Sequence, residues 1–183
     1  HYVFDSPRDK IVYDVSHQSY PHKILTGRKE GFTTDEGMSK ISGYTNPDES
    51  EHDFFKVGHT STSVSLACGW AQGRDLKGEN HNVIAGIGVG SLSGGEALEG
   101  LSNAAVLGSN IIVIVNDNEM SIAEKHGGLY TNLRLLRVTE GRAECNMFKA
   151  LGFDYRYVGE GNSVSRMIDV LREVKDAAKP TLI

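Results

Sequence analysis

Short apolar runs alternate with amphipathic stretches along most of this chain. Three of the runs are rich in β-branched residues and carry few charges: residues 10–15 (KIVYDV), 82–88 (NVIAGIG) and 110–116 (NIIVIVN). Strands that are buried on both faces have this composition, as in a parallel sheet covered by helices. A fourth strand is predicted at residues 153–158, and residues 180–183 resemble the start of another.

Helical periodicity fills the segments between these strands. Four segments repeat apolar residues every three or four positions: residues 60–74, 95–107, 142–151 and 163–178. We predict that each is a helix, the first capped by hydroxyls of its Thr/Ser-rich start and the last ended by Pro180. Alternating strands and helices predict an α/β fold, namely a doubly wound, mostly parallel sheet with helices on both faces and right-handed crossovers.

The length favours a single domain. A chain of 183 residues with 39% hydrophobic content can form one substantial core, so residues 1–183 are predicted to be one domain. Residues 31–53 show no periodicity and many turn formers, which predicts a long loop, and such loops are commonly functional. Because the chain starts at His1 without a methionine, we expect it to be a fragment of a longer polypeptide.

Charge and cysteine content exclude several functional classes. A net charge of −5, with basic residues interleaved among acidic ones, argues against nucleic-acid binding. No apolar run approaches the ~20 residues needed to cross a bilayer, and the first residues lack an export signal. Cys68 and Cys145 each lie in a helical pattern, which favours reduced core thiols. We therefore expect a cytoplasmic protein without nucleic-acid or membrane partners.

Three segments are predicted to meet at one edge of the sheet, because ligands of open parallel sheets bind beyond the carboxyl ends of the strands. They follow the first three strands: residues 16–23 (SHQSYPHK), 88–95 (GVGSLSGG) and 116–121 (NDNEMS). Glycines between a strand and a helix often only permit a tight turn, but their N–H groups and the helix N-terminus can also attract a phosphate.

The glycine spacing does not fit a dinucleotide site. Gly88, Gly90 and Gly94 depart from G-x-G-x-x-G, and the next strand ends in Asn-Asp-Asn rather than in a lone acid. These side chains suit a hard cation better than a ribose. Most histidines are expected to be surface or structural residues, and no zinc-ligand spacing is evident. His59 is the exception, since an imidazole beside capping hydroxyls at a helix start is well placed to meet an anion.

Four segments together resemble a known family. They are YDVSHQSYPHKILTGR (13–28), ESEHDFFKVGHTSTSVSLACGWAQGRDLKG (49–78), GVGSLSGGEALEGLSNAA (88–105) and IVIVNDNEMSI (112–122). They are similar to the diphosphate-binding domain of 1-deoxy-D-xylulose-5-phosphate synthase, a thiamine-diphosphate enzyme related to transketolase. The resemblance spans nearly the whole chain and is specific through HQ-x-YPHKILTGR, GH-[ST]-STS and NDNEMSI.

The resemblance implies a transferase of isoprenoid and thiamine biosynthesis. In that family, thiamine diphosphate supplies an ylid that attacks pyruvate, carbon dioxide leaves, and glyceraldehyde 3-phosphate is the acceptor that yields 1-deoxy-D-xylulose 5-phosphate. The family site is completed by a pyrimidine-binding domain with an activating glutamate. That domain is absent here, so the fragment alone is expected to be inactive and the longer chain to form a homodimer.

The resemblance also implies a set of site residues and a magnesium ion. These are His17 as a cofactor contact and catalytic residue, the Gly58-His59-Thr60 turn as a cofactor contact, Gly90 and Ser91 as backbone contacts to the diphosphate, and Asn118 with the backbone carbonyl of Met120 as Mg²⁺ ligands.

Residue 89 departs from the family motif. The family reads GDG and then NDN, whereas this chain reads Gly88-Val89-Gly90, with Asn118 at the expected distance of 29 residues from Val89. Magnesium usually takes one or two carboxylates besides phosphate oxygens, and an isopropyl group offers neither charge nor lone pair. We expect much weakened metal and cofactor binding, while a β-branched residue is well tolerated at a strand end.

Two alternatives remain open. The chain could be the N-terminal subunit of a split transketolase, although GHTSTSVS and YPHKILTGR favour the synthase. It could also be a non-catalytic domain that keeps the fold for subunit association, which Val89 supports. The span between Ser121 and Arg142 is shorter than in typical synthases, so the acceptor substrate is left open.

Overall fold

The computed structural model describes residues 1–118 and 126–183, apart from the side chains of Ser16 and His17. Its strands are β1 (Lys10–Tyr13), β2 (Val83–Gly88), β3 (Ile112–Asn116), β4 (Asp154–Tyr155) and β5 (Thr181–Leu182). They form one five-stranded sheet in the order β1-β2-β3-β5-β4, and every neighbouring pair is parallel. The predicted α/β class with a parallel sheet is therefore confirmed.

Eight α-helical segments are present in the described residues. They are α1 (Tyr20–Lys23), α2 (Asp35–Met38), α3 (Ser63–Leu76), α4 (Val89–Leu92), α5 (Gly95–Leu107), α6 (Gly128–Val138), α7 (Met147–Leu151) and α8 (Val164–Val174). None of the helices in this part of the chain is both long and apolar enough to cross a membrane.

Two hydrophobic cores lie on opposite faces of the sheet. Val83, Ala85 and Ile87 of β2 contribute to the larger core, together with buried residues of α3, α5, α6 and α7. The intervening Ile84 contributes to the smaller core, which α8 covers. This alternation follows from the two-residue side-chain period of a strand, and it confirms helices on both faces.

Three predicted elements near the C-terminus are shorter in the structure. The helix predicted at 142–151 begins only at Met147, because the Asn146 side chain accepts hydrogen bonds from the N–H groups of Phe148 and Lys149 and so caps the helix there. The strand predicted at 153–158 is limited to Asp154–Tyr155. The helix predicted at 163–178 ends at Val174.

The expectation for the cysteines was right for one of them. Cys68 is a free, buried residue of α3, and burial raises the pKa of its thiol to about 11, which keeps it protonated. Cys145 is also free, but it is exposed and lies outside any helix. The helical prediction at Cys145 was wrong because the cap at Asn146 delays the helix until after it.

Helix α6 was not predicted from the sequence. Its signal was present, since Leu129, Leu133 and Leu136 are spaced by four and three residues, and Leu133 and Leu136 are buried in the larger core. The neighbouring polar residues Thr131, Asn132 and Arg134 weakened the overall apolar character of this short segment.

Residues 31–53, predicted to be a long loop, contain α2 and the end of a 3₁₀ helix (Lys29–Phe32) but are otherwise irregular. A buried ionic network joins this segment to the chain just after β1. Lys23 is fully buried, and its Nζ donates to Glu49 Oε2 at 2.7 Å and to the Ser42 carbonyl at 2.7 Å. Arg28 donates to both oxygens of Asp53, at 2.6 and 2.9 Å.

Asp53 is the most heavily bonded member of that network. Its carboxylate also accepts from His22 Nε2 at 2.9 Å and from the Asn46 N–H at 2.8 Å. Burial by itself would raise the pKa of Asp53, but the hydrogen bonds from Arg28, His22 and Asn46 outweigh it and hold that pKa well below its usual range. The carboxylate is therefore charged in the folded protein at neutral pH.

We expect Asp53→Asn to destabilise the protein by about 3–5 kcal/mol, since it removes the carboxylate that accepts two hydrogen bonds from Arg28 and leaves this buried charge only a longer 3.4 Å contact with Glu49. Urea unfolding at pH 7 measures this loss. Glu36→Gln is the matched control, because the pair that Glu36 forms with Lys40 at 2.6 Å is exposed to solvent and should contribute almost nothing. Equal loss in the two variants would show that the buried network is not what orders the loop.

The stability that Asp53 contributes should disappear in acid. A carboxyl whose pKa is lowered on folding stabilises the protein above its unfolded pKa of about 3.9, and this contribution is lost as the pH falls further. The difference in unfolding free energy between the wild type and Asp53→Asn should stay constant above about pH 5. It should shrink by about 1.4 kcal/mol per pH unit below about pH 4. A difference that persists unchanged to pH 3 would contradict this assignment.

Candidate functional site

The three candidate loops leave the same edge of the sheet. Strands β1, β2 and β3 are adjacent and parallel, and Gly88 at the end of β2 is paired with Asn116 at the end of β3. Tyr13, the last residue of β1, is paired with Gly86. The chain segments that follow these strands therefore begin side by side, as the sequence predicted.

Asp14 holds the start of α3. Its side chain is completely buried, and its two carboxylate oxygens accept hydrogen bonds from the N–H groups of Ser61 at 2.9 Å and Ser63 at 3.0 Å. The predicted capping by hydroxyls of residues 60–63 is not observed, because the N-cap residue Thr62 makes no side-chain cap bond. A carboxylate from the end of β1 performs this function instead, and it is stabilised by the helix dipole.

The Gly58-His59-Thr60 turn lies on the surface directly before this capped helix. His59 is exposed, and its Nδ1 donates a hydrogen bond to the Thr60 carbonyl at 2.7 Å. That bond leaves Nε2 as the ring nitrogen open to solvent or to a ligand. The aromatic ring of Tyr44 lies beside Gly58, where an added Cβ would come within 3.2 Å of it.

The second loop carries Gly90 and Ser91 within the short helix α4. Gly90 is exposed, and the position of its missing Cβ has no atom within 4 Å, so its backbone is accessible. Ser91 is mostly buried, and its carbonyl accepts a 2.7 Å hydrogen bond from Ser61 Oγ. The structure thus brings the loop at residues 58–61 into contact with the loop at residues 88–94.

The turn after β1 also reaches this place. Residues Ser16–Ser19 form one 3₁₀ turn, and an added Cβ at Gly88 would come within 3.0 Å of Gln18 Nε2. This turn carries His17, and its Gln18 side chain reaches the end of β2. Gln18 was not identified as a site residue, although it lies in the HQ pair of the motif.

The third loop is only partly described. Asn118 is exposed two residues beyond the end of β3, whereas Met120, the other predicted Mg²⁺ ligand, lies outside the described residues. Between Asn116 and Asn118, Asp117 forms an ion pair with Arg137 of α6. Burial, with smaller contributions from Tyr157 and Asp117, raises the pKa of Tyr155 in β4 to about 12. Sequence analysis missed Arg137 because α6 itself was missed.

The donor set at residue 89 does not fit a magnesium ion. Val89 is only 2% exposed and belongs to the larger hydrophobic core. Val89 is the first residue of α4 and not the last residue of a strand. The fold accommodates valine at this position because its side chain is buried in the core, and not because of its strand propensity. No group of three or more His, Cys, Asp or Glu residues within 1–118 and 126–183 could hold a metal ion. The exposed backbone at Gly90 is compatible with an anionic group, but a magnesium ion at this position would lack the carboxylate ligand that it usually takes.

A separate cleft of about 280 Å³ lies beside β4. Its lining includes Glu140, Lys149, Tyr155, Tyr157, Arg166 and Glu173. No described residue of the predicted site contributes to it, so this cleft is separate from the candidate site.

Comparison with known proteins identifies relatives of the chain. A family model described as 1-deoxy-D-xylulose-5-phosphate synthase matches residues 1–145. A 1-deoxy-D-xylulose-5-phosphate synthase from Porphyromonas gingivalis is 41% identical over 220 residues, covering 100% of this chain and 35% of that protein. Synthases from Symbiobacterium thermophilum and Geobacter metallireducens are each 42% identical, covering 100% and 96% of this chain and 34% of each relative.

These comparisons also show differences in length. The chain spans about a third of the length of the curated relatives it matches. The alignment with the Porphyromonas gingivalis protein runs over 220 positions, whereas this chain has 183 residues, so the relative contains residues within the aligned region that this chain lacks.

We expect Val89→Asp to destabilise the ligand-free protein by about 1–3 kcal/mol, because a carboxylate would replace an apolar side chain in the core. Val89→Asn, which is similar in shape but uncharged, should cause a comparable loss. Adding Mg²⁺ should restore the unfolding temperature of the aspartate variant only. If Val89→Asp is as stable as the wild type without metal, the side chain at position 89 is not confined to the core.

Proposed function

This chain belongs to the 1-deoxy-D-xylulose-5-phosphate synthase family, and we propose that it forms the diphosphate-binding domain of a thiamine-diphosphate-dependent synthase-like transferase. The observation that carries the proposal is the contact between the loop at residues 58–61, before α3, and the loop after β2, at the edge of the sheet where β3 also ends. Ser61 makes that contact through Ser91, beside the exposed backbone of Gly90.

Each loop has a defined role in this proposal. The N–H groups of Gly90 and Ser91 would donate to the oxygens of a diphosphate, because they belong to the first turn of α4. His59 would contact the cofactor through Nε2, which in the neutral ring accepts a hydrogen bond from a donor of the cofactor rather than donating to the diphosphate, since Nδ1 is the nitrogen that donates to Thr60. Asn118 and the turn that carries His17 would border the remainder of the cofactor. Bound thiamine diphosphate would supply the electron sink of the reaction.

The full reaction requires more protein than this chain. For the longer polypeptide we propose pyruvate and glyceraldehyde 3-phosphate as substrates, with a pyrimidine-binding domain completing the site in a homodimer. Exposed apolar side chains after β1 and in the long loop support a covering partner: Tyr20, Ile24, Leu25, Met38 and Tyr44. The family match over residues 1–145 favours this interpretation over a split transketolase subunit.

A second candidate function is a non-catalytic domain that retains the fold for subunit association. Burial of Val89 in the hydrophobic core favours it, since the position that should hold the metal contributes to folding instead. In that case the loops would keep their arrangement without binding the cofactor.

Calorimetric titration of the complete protein with thiamine diphosphate and Mg²⁺ separates the two candidates. For the synthase-like domain we expect measurable cofactor affinity that depends only weakly on Mg²⁺, and an increase of at least tenfold in that affinity in Val89→Asp when Mg²⁺ is present. Absence of cofactor binding to both proteins would support the non-catalytic domain. Equal affinity of the two proteins at saturating Mg²⁺ would refute the role assigned to residue 89.

Formation of 1-deoxy-D-xylulose 5-phosphate from pyruvate and glyceraldehyde 3-phosphate then tests the substrate assignment. The complete Val89→Asp protein is the appropriate sample, because its metal site carries the missing carboxylate. Cofactor binding without this product would leave the domain assignment in place and exclude the proposed acceptor.

A further inference from the structure

Two residues outside the predicted site connect its loops. Asp14 follows β1, and its own N–H donates to the Gly86 carbonyl at 2.8 Å, which fixes it against β2. Its carboxylate then accepts the N–H groups of Ser61 and Ser63. One buried side chain therefore ties the end of β1 to the segment that follows the Gly58-His59-Thr60 turn.

Ser61 continues this connection to the loop after β2. Its Oγ donates to the Ser91 carbonyl, which also accepts the Gly94 N–H at 3.1 Å. A Cβ at Gly94 would overlap with Ser61 Oγ, so only glycine allows this approach. Ser61 therefore contacts the second loop both at its first turn and at the residue that precedes α5.

The backbone around these contacts adopts uncommon conformations. Ser61 has φ 75°, and Val15, directly after Asp14, has φ 53°. Residues other than glycine rarely adopt such angles, because this conformation is sterically unfavourable for them. Such conformations persist where surrounding contacts hold them, and they cluster at ligand sites. Asp14 links these two positions, because it directly precedes Val15 and its carboxylate accepts a hydrogen bond from the Ser61 N–H.

We propose that Asp14 and Ser61 are positioning residues that couple the His59 turn to the Gly90–Ser91 loop before any ligand binds. The proposal rests on the proposed function for the class of ligand, a diphosphate. A shift of either loop must break the Ser61–Ser91 hydrogen bond or move Asp14, which is anchored to β2. Binding of the anion at Gly90 is therefore felt at His59 through Ser61.

Amide hydrogen exchange of the ligand-free protein tests the coupling, with Ser61→Ala as the variant. Loss of one hydrogen bond should raise exchange at residues 58–60 and 90–94 by a factor of about 2 to 10. Exchange of the core amides of β2 should stay unchanged, which distinguishes a positioning role from general destabilisation. Ser63→Ala is the matched control, because Ser63 is also buried, lies two residues away, and its Oγ has no hydrogen-bond partner within the described residues.

Unchanged exchange in either loop of Ser61→Ala, or an equal increase in Ser63→Ala, would overturn the proposal. Asp14→Asn is a second variant, since it removes one of the two acceptors, and it should loosen residues 58–60 more than residues 90–94. Should Asp14→Asn fail to fold, Ser61→Ala still decides the outcome.

Inorganic pyrophosphate provides the second measurement. In the wild type, it should protect amides at residues 58–60 as well as at 90–94, whereas in Ser61→Ala it should protect only residues 90–94. Protection of both loops in Ser61→Ala would overturn the coupling. If the wild type does not bind pyrophosphate, the proposed function fails, and exchange in the ligand-free proteins still decides the positioning role.

Discussion

The arrangement of the candidate site depends on one buried carboxylate. Asp14 is fully buried, and its carboxylate accepts hydrogen bonds from two N–H groups at the start of α3. These N–H groups are therefore bonded neither by solvent nor by a neighbouring side chain of the helix start. A buried charge is costly unless hydrogen bonds and dipoles compensate it, and the N-terminus of α3 supplies both. Because Asp14 is also bonded to β2, the helix, its preceding turn and the sheet are fixed relative to one another. Ser61 then extends this arrangement to the loop after β2.

A second polar cluster organises the segment that borders the site. His22, Lys23 and Arg28 follow the turn that carries His17, and they bind Glu49 and Asp53 at the far end of the long loop. The two carboxylates and the Lys23 and Arg28 charges balance, which permits their burial without leaving a net charge. Residues 39–53 contain no helix or strand, so the order of this part comes from side chains rather than from backbone ladders. Tyr20 and Ile24, on either side of His22 and Lys23 in the sequence, are exposed at the surface.

The identity of residue 89 matters for binding of a cation at the proposed site but not for binding of an anion. The exposed backbone at Gly90 is compatible with an anion because backbone N–H groups are independent of side-chain identity. A divalent cation instead depends on a specific carboxylate, and Val89 directs an apolar side chain into the core. Asp117 does not replace that carboxylate, since it is paired with Arg137. The arrangement of the loops therefore does not depend on a carboxylate at residue 89, whereas a cation there would lack that ligand.

The sequence by itself determined the fold class, the three main strands and the edge where the candidate loops begin, because apolar periodicity and parallel topology are local and general properties. It also identified the loops at Gly58–Thr60 and Gly90–Ser91 through their motifs. The tertiary structure decided what local patterns cannot encode. Asp14 and not the adjacent hydroxyls caps α3, and Asn146 delays α7 beyond Cys145. The side chain of Val89 is buried, and Arg137 from α6 reaches Asp117. Each of these depends on which distant residue supplies a hydrogen bond, a charge or a packing surface, and that choice is made only when the strands and helices come together.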